Sequence, residues 1–193
     1  MDAIDLIKHD HRTADELFTR FEQAPERRER ARLLADIVAE LSRHAAIEEA
    51  VLYPAIRELV PDGEQLVLHA DEEHLEVKMA LAEIERMPAD DPELESKAMK
   101  MIGDTRHHVS EEESEVLPKL AEACSREQLM ELGRRLAEAK ETAPTSPGIE
   151  PGATKEELVA QAKRMGVTGA DAMRKPEVSE ALGRAAVEGG DRS

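Results

Sequence analysis

The sequence has very few aromatic residues: no tryptophan, one tyrosine and two phenylalanines among 193 residues. A core without large rings must be built from Leu, Ile, Val, Ala and Met, which suits helices better than sheets. Charged residues make up 36% of the chain, and amphipathic helices accommodate them on wide solvent-facing surfaces. The composition therefore favours an all-α protein.

Cysteine content, hydrophobic runs and net charge each exclude a class of protein. The single cysteine, Cys124, excludes an intramolecular disulfide and is typical of a reducing compartment. No apolar run approaches the roughly 18 residues of a membrane span, and the first twenty residues lack the apolar stretch of a signal peptide. A net charge of −17 argues against a protein that mainly coats nucleic acid. We expect a cytoplasmic protein without membrane contact.

Apolar residues at alternating spacings of three and four predict four helices, over residues 2–24, 25–59, 64–87 and 93–123. Their short connections predict an up-down-up-down four-helix bundle. An extra helix over about 125–141 should pack outside the bundle. Pro54 lies within the second predicted helix and should kink it or loosen one turn.

The segment TAPTSPGIEPGAT, which begins at residue 142, is rich in Pro, Gly, Ser and Thr and predicts a flexible linker. We therefore predict a bundle over 1–141, a linker over 142–153 and a small helix-loop-helix tail over 154–193. Residues 154–187 contain six Lys or Arg and five Asp or Glu, so the bundle carries almost all of the negative charge.

Two stretches of eleven residues, HAAIEEAVLYP and HVSEEESEVLP, begin 64 residues apart at His44 and His108. Each has a glutamate four residues after its histidine, Glu48 and Glu112. Positions i and i+4 share one face of a helix, so each histidine and its glutamate can point inward together.

Two further histidines, His11 and His74, lie 63 residues apart on the other two bundle helices. Two helical hairpins related by a pseudo-twofold axis would bring the histidines and glutamates to one level in the core. Burying ionised glutamate without a partner costs many kcal/mol, which a multivalent cation would offset. The predicted metal ligands are His11, His44, Glu48, His74, His108 and Glu112.

The donor set indicates the kind of metal. Four imidazoles and two carboxylates are too many for tetrahedral zinc and too rich in nitrogen for calcium or magnesium. The mixture suits iron or manganese, and two ions bridged by Glu48 and Glu112 would use every ligand. The alternative is a polar seam satisfied by hydrogen bonds, which the matched repeats disfavour.

The motifs together resemble the hemerythrin-like HHE cation-binding domain over about residues 1–140. The residues that carry the resemblance are His11 in HDHR, His44-x-x-x-Glu48, His74 in EEH and His108-x-x-x-Glu112. The resemblance implies a four-helix bundle with a non-haem diiron centre, two iron ions with an oxo or hydroxo bridge. It implies a protein that binds, senses or reacts with O2, peroxide or nitric oxide.

The chain departs from the invertebrate oxygen carriers of that family, which have five histidines and an aspartate five residues after the last one. Here the positions four residues either side of His74 are Ala70 and Lys78, and the corresponding acid is Glu112. A lost ligand should open one iron, which favours peroxide or nitric oxide chemistry over oxygen storage. Enzymatic activity stays open, as do iron storage or delivery and a regulatory role.

Residues beside the predicted ligands have open roles. Glu49 and Glu113 repeat next to the bridging glutamates and suit either an outer hydrogen-bonding role or coordination. Tyr53 is expected to pack beside the kink, and His69 to be exposed or in the outer layer of the site.

The stretch TKEELVAQAKRMGVTGADAMRKPEVSEAL resembles the small helix-loop-helix unit of Rho-type termination factors and SAP-like modules. That resemblance implies nucleic-acid contact through residues 154–187, with a small basic patch of Lys163, Arg164, Arg174 and Lys175. The acidic bundle would repel phosphates at long range. We favour a structural or protein-contact role for the tail over nucleic-acid binding.

Overall fold

A computed structural model describes residues 1–190, in which the chain forms helices and connecting segments and no strand. The α-helices are α1 (Ala3–Gln23), α2 (Arg27–Ile47), α3 (Tyr53–Leu59), α4 (Gly63–Arg86), α5 (Leu94–Glu111), α6 (Leu117–Ala123), α7 (Arg126–Thr142), α8 (Lys155–Arg164) and α9 (Lys175–Gly190). The all-α prediction is confirmed, while the up-down-up-down order stays a prediction.

Two π-helical turns, Glu48–Leu52 and Glu112–Val116, join α2 to α3 and α5 to α6. In the first turn the Tyr53 N–H donates to the Glu48 carbonyl, five residues back. Pro54 follows directly and has no N–H to donate to the preceding turn, which favours a wider turn at this point. Pro118 repeats the arrangement after the second turn. The predicted loosening is therefore present, and each widened turn begins at one of the predicted ligand glutamates.

The bundle interior contains two apolar clusters. One cluster surrounds Phe18, Ile37 and Leu81, and the other surrounds Leu52 and Leu117. On α1 and α4 the histidines lie at sequence positions between residues of the two clusters, so the core changes from apolar to polar and back. This arrangement isolates the polar residues from solvent at both ends.

The predicted outer helix, α7, begins with a reciprocal capping box. The Gln128 N–H donates to Ser125 Oγ at 3.2 Å, and the Ser125 N–H donates to Gln128 Oε1 at 2.8 Å. The helix packs against α1 at Gly133, where an added Cβ would lie 2.7 Å from the Asp2 carbonyl carbon. Only a glycine allows α7 to lie this close to α1.

The tail packs on the bundle. Ile149 and Ala153, from the predicted linker, are buried at 6% and 3% exposure in a cluster with Leu158, Leu182 and Ala82 of α4. The connecting segment turns at Gly148 and Gly152, which adopt φ of 69° and 68°. The predicted helix-loop-helix is present as α8, a short 3-10 turn at Ala170–Ala172 and α9. The division into three parts stays a prediction.

Among residues 1–190, no helix combines the length and apolarity needed to cross a membrane. The predicted cytoplasmic location stays a prediction.

Candidate metal centre

The structure brings the six predicted ligand residues together in the core. They lie on α1, α2, α4, α5 and at the starts of the two π-helical turns. Their exposed fractions run from 0% to 7%, for Glu48 0%, Glu112 2%, His11 5%, His74 5%, His108 5% and His44 7%. Side chains this polar are rarely so deeply buried without a binding partner.

Four of these side chains form one group with ligand atoms within 4.8 Å of one another: His11, His44, Glu48 and Glu112. Nε2 of His11 lies 3.1 Å from Oε2 of Glu112. Nε2 of His44 lies 3.2 Å from Oε1 of Glu48. The spacing of these atoms fits donors that surround a single cation.

A second group consists of Glu48, His74 and His108. Nε2 of His74 lies 3.2 Å from Oε2 of Glu48 and 3.1 Å from Nε2 of His108. Glu48 thus faces one group with each of its two carboxylate oxygens. Glu112 belongs to the first group alone, so a bridging role for Glu112 stays a prediction.

Carboxylates lie behind the two lone histidines. Glu113 Oε1 is 2.8 Å from Nδ1 of His11, and Glu49 Oε1 is 3.5 Å from Nδ1 of His74. The two pairs correspond in the internal repeat. A carboxylate at Nδ1 leaves Nε2 free to coordinate and orients the ring, so the geometry supports the outer role for Glu49 and Glu113.

The histidines of the repeated motif have acidic partners that were not among the predicted residues. Glu73 Oε2 lies 2.8 Å from Nδ1 of His108. Asp10 Oδ2 lies 3.9 Å from Nδ1 of His44, and Lys140 holds its other oxygen at 2.7 Å. A signal was present, because an acidic residue directly precedes each lone histidine, as Asp10 before His11 and Glu73 before the equivalent histidine 63 residues later.

Burial and neighbouring charges shift the pKa values of the four side chains in the first group in opposite directions. Burial, with help from Glu112, raises the pKa of Glu48 well above its ordinary value. Burial opposes charge on Glu112 too, but contacts with His11 and His108 outweigh it and lower the pKa of Glu112. Burial alone would lower the pKa of His11, yet contacts with Glu112 and Glu48 raise that pKa to about 9. Burial lowers the pKa of His44 to about 4.

Within the described residues, several buried atoms of the centre have no hydrogen-bond partner. They include both carboxylate oxygens of Glu48 and of Glu112, and both ring nitrogens of His44. Leaving such groups unpaired is costly, and more so for charged groups. Cations between the two groups would satisfy the carboxylate oxygens and Nε2 of His44 and would neutralise both glutamates, so the residues present fit a pair of metal ions.

Tyr53 is part of the centre, a role that was not predicted from the sequence. It is fully buried, and its hydroxyl oxygen lies 2.9 Å from Nε2 of His74. Its burial agrees with the expected packing role, but the hydroxyl also points at Nε2 of a predicted ligand. The equivalent position of the repeat is Leu117, so the internal repeat contained no sign of this role.

A third, exposed group of His69, Glu73 and Glu111 lies outside the core. Nε2 of His69 is 3.0 Å from Oε2 of Glu111, and the His69 side chain is 61% exposed. These residues line a groove of about 310 Å³, which also reaches His108 and Glu112. His69 is thus exposed, which agrees with one of the two positions predicted for it.

Comparisons with known proteins find similarity over most of the chain. The profile of the family described as Hemerythrin HHE cation binding domain matches residues 2–120. A protein named DNA nickase from Nostoc sp. (strain PCC 7120) is 28% identical over 140 residues, which is 72% of this chain and 39% of the nickase. An uncharacterised hemerythrin-like protein of Schizosaccharomyces pombe is 26% identical over 142 residues, 73% of this chain and 70% of that protein.

One solved structure has a similar fold along most of the chain. It is the crystal structure of a hemerythrin HHE cation binding domain-containing protein from Mycobacterium kansasii, with a TM-score of 0.65 at 24% identity. The similarity covers 93% of this chain and 99% of the other. It therefore extends past residue 120, where the family match ends.

Proposed function

This chain belongs to the hemerythrin HHE cation-binding family, and from that premise we propose that its core holds two non-haem iron ions that bind or react with peroxide, nitric oxide or O2. His11, His44 and Glu112 would hold one ion. His74 and His108 would hold the other, and Glu48 would bridge the two.

The position of Glu48 carries this proposal. Its two oxygens each lie 3.2 Å from a different imidazole nitrogen, Nε2 of His44 and Nε2 of His74. The residue is fully buried, and neither oxygen has a hydrogen-bond partner within residues 1–190. A carboxylate shared between two donor groups suits a centre that holds two ions.

The donor chemistry favours iron. Imidazole together with carboxylate suits iron, and a two-ion centre in a helical bundle is a common use of these donors. When bound, the iron pair would supply redox chemistry and open coordination positions for small ligands. The second group offers only three His and Glu side chains, so we propose that the open positions lie on the side of His74 and His108.

Tyr53 would assist a small ligand there. Burial, together with the nearby charge of Glu48, raises the pKa of Tyr53 well above its ordinary value, so the phenol keeps its proton. A protonated hydroxyl beside Nε2 of His74 can donate a hydrogen bond to an oxygen or nitrogen atom bound nearby. Such a donor favours a ligand that gains negative charge as it reacts.

The depth of the ligands argues for a resident centre and against the iron-storage alternative. Every predicted ligand is at most 7% exposed. Release of stored iron would require the bundle to open, whereas a diatomic ligand or peroxide is small enough to enter from the surface. A groove of about 630 Å³, lined in part by His11, Phe18 and Glu113, supplies one approach.

The nucleic-acid alternative has weaker support. The relative named DNA nickase is matched over 39% of its length, so its activity does not transfer to this chain on that basis. In the tail, Lys163 pairs with Asp171 at 2.7 Å, and Arg174 lies 3.4 Å from Glu72 of the bundle. Basic residues that are already paired contribute less to phosphate binding.

Metal analysis after anaerobic loading with Fe(II) tests the two-ion centre. We expect two irons per chain in the wild type, one in His108→Ala and fewer than one in Glu48→Ala, because Glu48 serves both groups. His9→Ala is the matched control, since His9 lies on the same helix as His11 but is exposed. Titration of the loaded protein with peroxide and with nitric oxide, followed by absorption, then distinguishes the ligands.

Two results would contradict the proposal. One is a wild-type protein that stays folded and takes up no iron after loading. The other is an equal loss of metal in His9→Ala and His108→Ala, which would mean that iron binds to exposed histidines.

A further inference from the structure

A buried ion pair lies between the bundle and α9 of the tail. Nζ of Lys78, on α4, donates to both carboxylate oxygens of Glu49 at 2.8 Å and to the Ser179 carbonyl of α9 at 3.2 Å. Glu49 is 1% exposed and Lys78 is 4% exposed. The tail therefore covers the pair, and each of the three hydrogen bonds that Lys78 donates ends on Glu49 or on α9.

The close approach of α9 depends on Gly183. A Cβ at this position would overlap Oε2 of Glu49 and lie 3.4 Å from Nζ of Lys78. The Glu49 carboxylate is fixed by Lys78, so it cannot move aside without weakening the ion pair. Gly189, on the same helix, has nothing within 4 Å of an added Cβ. Gly183 is therefore required by the contact, and Gly189 is not.

A second set of charges holds α9 in place. Glu180 accepts two hydrogen bonds from the Arg57 guanidinium, at 2.6 and 2.8 Å. Arg57 also donates to Asp71 Oδ2 at 2.9 Å. Glu180 is 3% exposed. The bundle therefore provides a charged partner, Arg57, for the buried Glu180 carboxylate of α9.

Glu49 connects this contact to the metal centre. Its Oε1, which accepts from Lys78, is also 3.5 Å from Nδ1 of His74. Nε2 of the same ring faces Glu48 at 3.2 Å. These contacts form a series. Lys78 contacts α9 and Glu49, Glu49 lies beside the His74 ring, and the other side of that ring faces Glu48 and the proposed metal position.

The other half of the pseudo-symmetric centre lacks this cover. There the equivalent of Glu49 is Glu113, whose side chain is 36% exposed, and it borders the groove of about 630 Å³ beside His11. The position equivalent to Lys78 is Asp15, which cannot form an ion pair with a glutamate. The face of the centre beside His74 is closed by the tail, and the corresponding face beside His11 is open.

We propose that α9 is a built-in cap on the His74 side of the centre, and that Glu49 and Lys78 are positioning residues through which the docked cap fixes the His74 ring. The tail thus has a role in the centre itself. Small ligands then approach from faces that α9 does not cover, through the groove beside His11 or the groove that reaches His108. The inference rests on the proposed function only in taking His74 as a metal ligand.

The pair Gly183→Ala and Gly189→Ala tests the cap in the full-length protein. Both changes add one methyl group to α9, but only the first places it against Glu49. In the metal-free protein we expect the ¹⁵N and ¹H resonances of the His74 ring to shift in Gly183→Ala and to stay unchanged in Gly189→Ala.

Metal release provides a second measurement. After loading with Co(II), we expect a chelator to remove one of the two ions about 10–100-fold faster from Gly183→Ala than from the wild type, the range for loss of an outer partner of a metal ligand. Glu49→Ala should behave like Gly183→Ala. Glu49→Gln should recover part of the loss, because its side-chain oxygen can still lie beside Nδ1 of His74, as Glu49 Oε1 does at 3.5 Å.

The outcomes separate this inference from the proposed function. Unchanged His74 resonances in Gly183→Ala would overturn the cap, whether or not the protein binds metal. Equal acceleration of both ions would also overturn it, since the cap covers one side only. A wild-type protein that binds no cobalt or iron, but whose His74 resonances still respond to Gly183→Ala, would overturn the metal centre and leave the positioning role intact.

Discussion

The hydroxyl of Tyr53 lies 2.9 Å from Nε2 of His74, and the two rings are 5.2 Å apart between centroids. These residues are on different helices, α3 and α4, which the chain connects by a short turn. Among the contacts described for the centre, the Tyr53 phenol is the one hydroxyl group that faces a predicted ligand atom. It supplies a proton donor without adding charge.

Tyr53→Phe should keep both metal ions and slow the reaction with peroxide by roughly tenfold or more, because it removes the positioned donor and preserves the ring. The measurement is the rate of peroxide consumption by the iron-loaded protein, with the metal content determined on the same sample. Loss of one iron in Tyr53→Phe would instead assign the phenol oxygen as a ligand. An unchanged rate at full occupancy would show that the hydroxyl has no part in the reaction.

Glu48→Gln should stabilise the metal-free protein and prevent metal binding. Burial disfavours the charged form of Glu48, and its oxygens have no hydrogen-bond partner within the described chain. A neutral amide of the same shape should raise the free energy of unfolding by about 1–3 kcal/mol. Urea unfolding of the metal-free proteins measures this difference, and loading with Fe(II) should then stabilise the wild type alone.

Glu49→Gln is the matched control for that change, because the two glutamates are adjacent and both buried. Glu49 is paired with Lys78 at 2.8 Å, so removal of its charge leaves a buried ammonium without its partner. Breaking a buried pair costs roughly 3–5 kcal/mol. Glu49→Gln should therefore destabilise the metal-free protein. The same sign of change in both variants would contradict our interpretation of Glu48 as an unpartnered charge.

The inward placement of the predicted ligand residues was predictable from the sequence, because the spacing of the repeat corresponds directly to helix geometry. A histidine and a glutamate four residues apart share one helix face, and the 64-residue spacing of His44 and His108 places the two motifs on matching helices. Pro54, which follows the first motif, also indicated a loosened turn, and in the structure Pro118 follows the second π-helical turn in the same way. These are local rules of the helix, and they need no knowledge of how helices pack.

The outer contacts were harder to predict, because they depend on packing between helices. Tyr53 breaks the repeat, and the distance from Asp10 to His44 is set by how α1 lies against α2. The docking of the tail depends on two features that a sequence pattern does not join, a glycine at position 183 and a buried lysine at position 78. Proline and glycine in 142–153 predicted a flexible linker, but Ile149 is buried against the tail.

Asp71→Asn should become more stabilising as the pH rises. Burial and the neighbouring Glu180 raise the pKa of Asp71 to about 8, although Arg57 opposes the shift, because one guanidinium serves two buried carboxylates. The folded protein thus holds this proton more tightly than the unfolded chain. The resulting stabilisation is present at low pH and is lost as the pH rises from about 4 towards 8. An asparagine has no proton to lose.

Melting temperatures of the metal-free proteins between pH 5 and pH 9 measure this effect. The difference between Asp71→Asn and wild type should increase towards high pH, because a pKa that differs by one between the folded and unfolded protein changes the free energy of unfolding by about 1.4 kcal/mol. Asp36→Asn, at an exposed position of α2, should give a difference that stays flat. A flat difference for Asp71→Asn would mean that Arg57 neutralises Asp71 and Glu180 together.

The contact between Asp10 and His44 provides a test of how the outer carboxylates act. Asp10 is 2% exposed; Lys140 binds its Oδ1 at 2.7 Å, and its Oδ2 lies 3.9 Å from Nδ1 of His44. Asp10→Ala should weaken metal binding by about tenfold, the lower end of the range for an outer carboxylate, because Asp10 Oδ2 lies beside the His44 ring but beyond hydrogen-bond distance. Glu40→Ala is the matched control, since Glu40 binds the same Lys140 at 3.0 Å without a described contact to the histidine. If both variants lose affinity equally, Lys140 and the docking of α7 set the affinity, and the orientation of His44 does not.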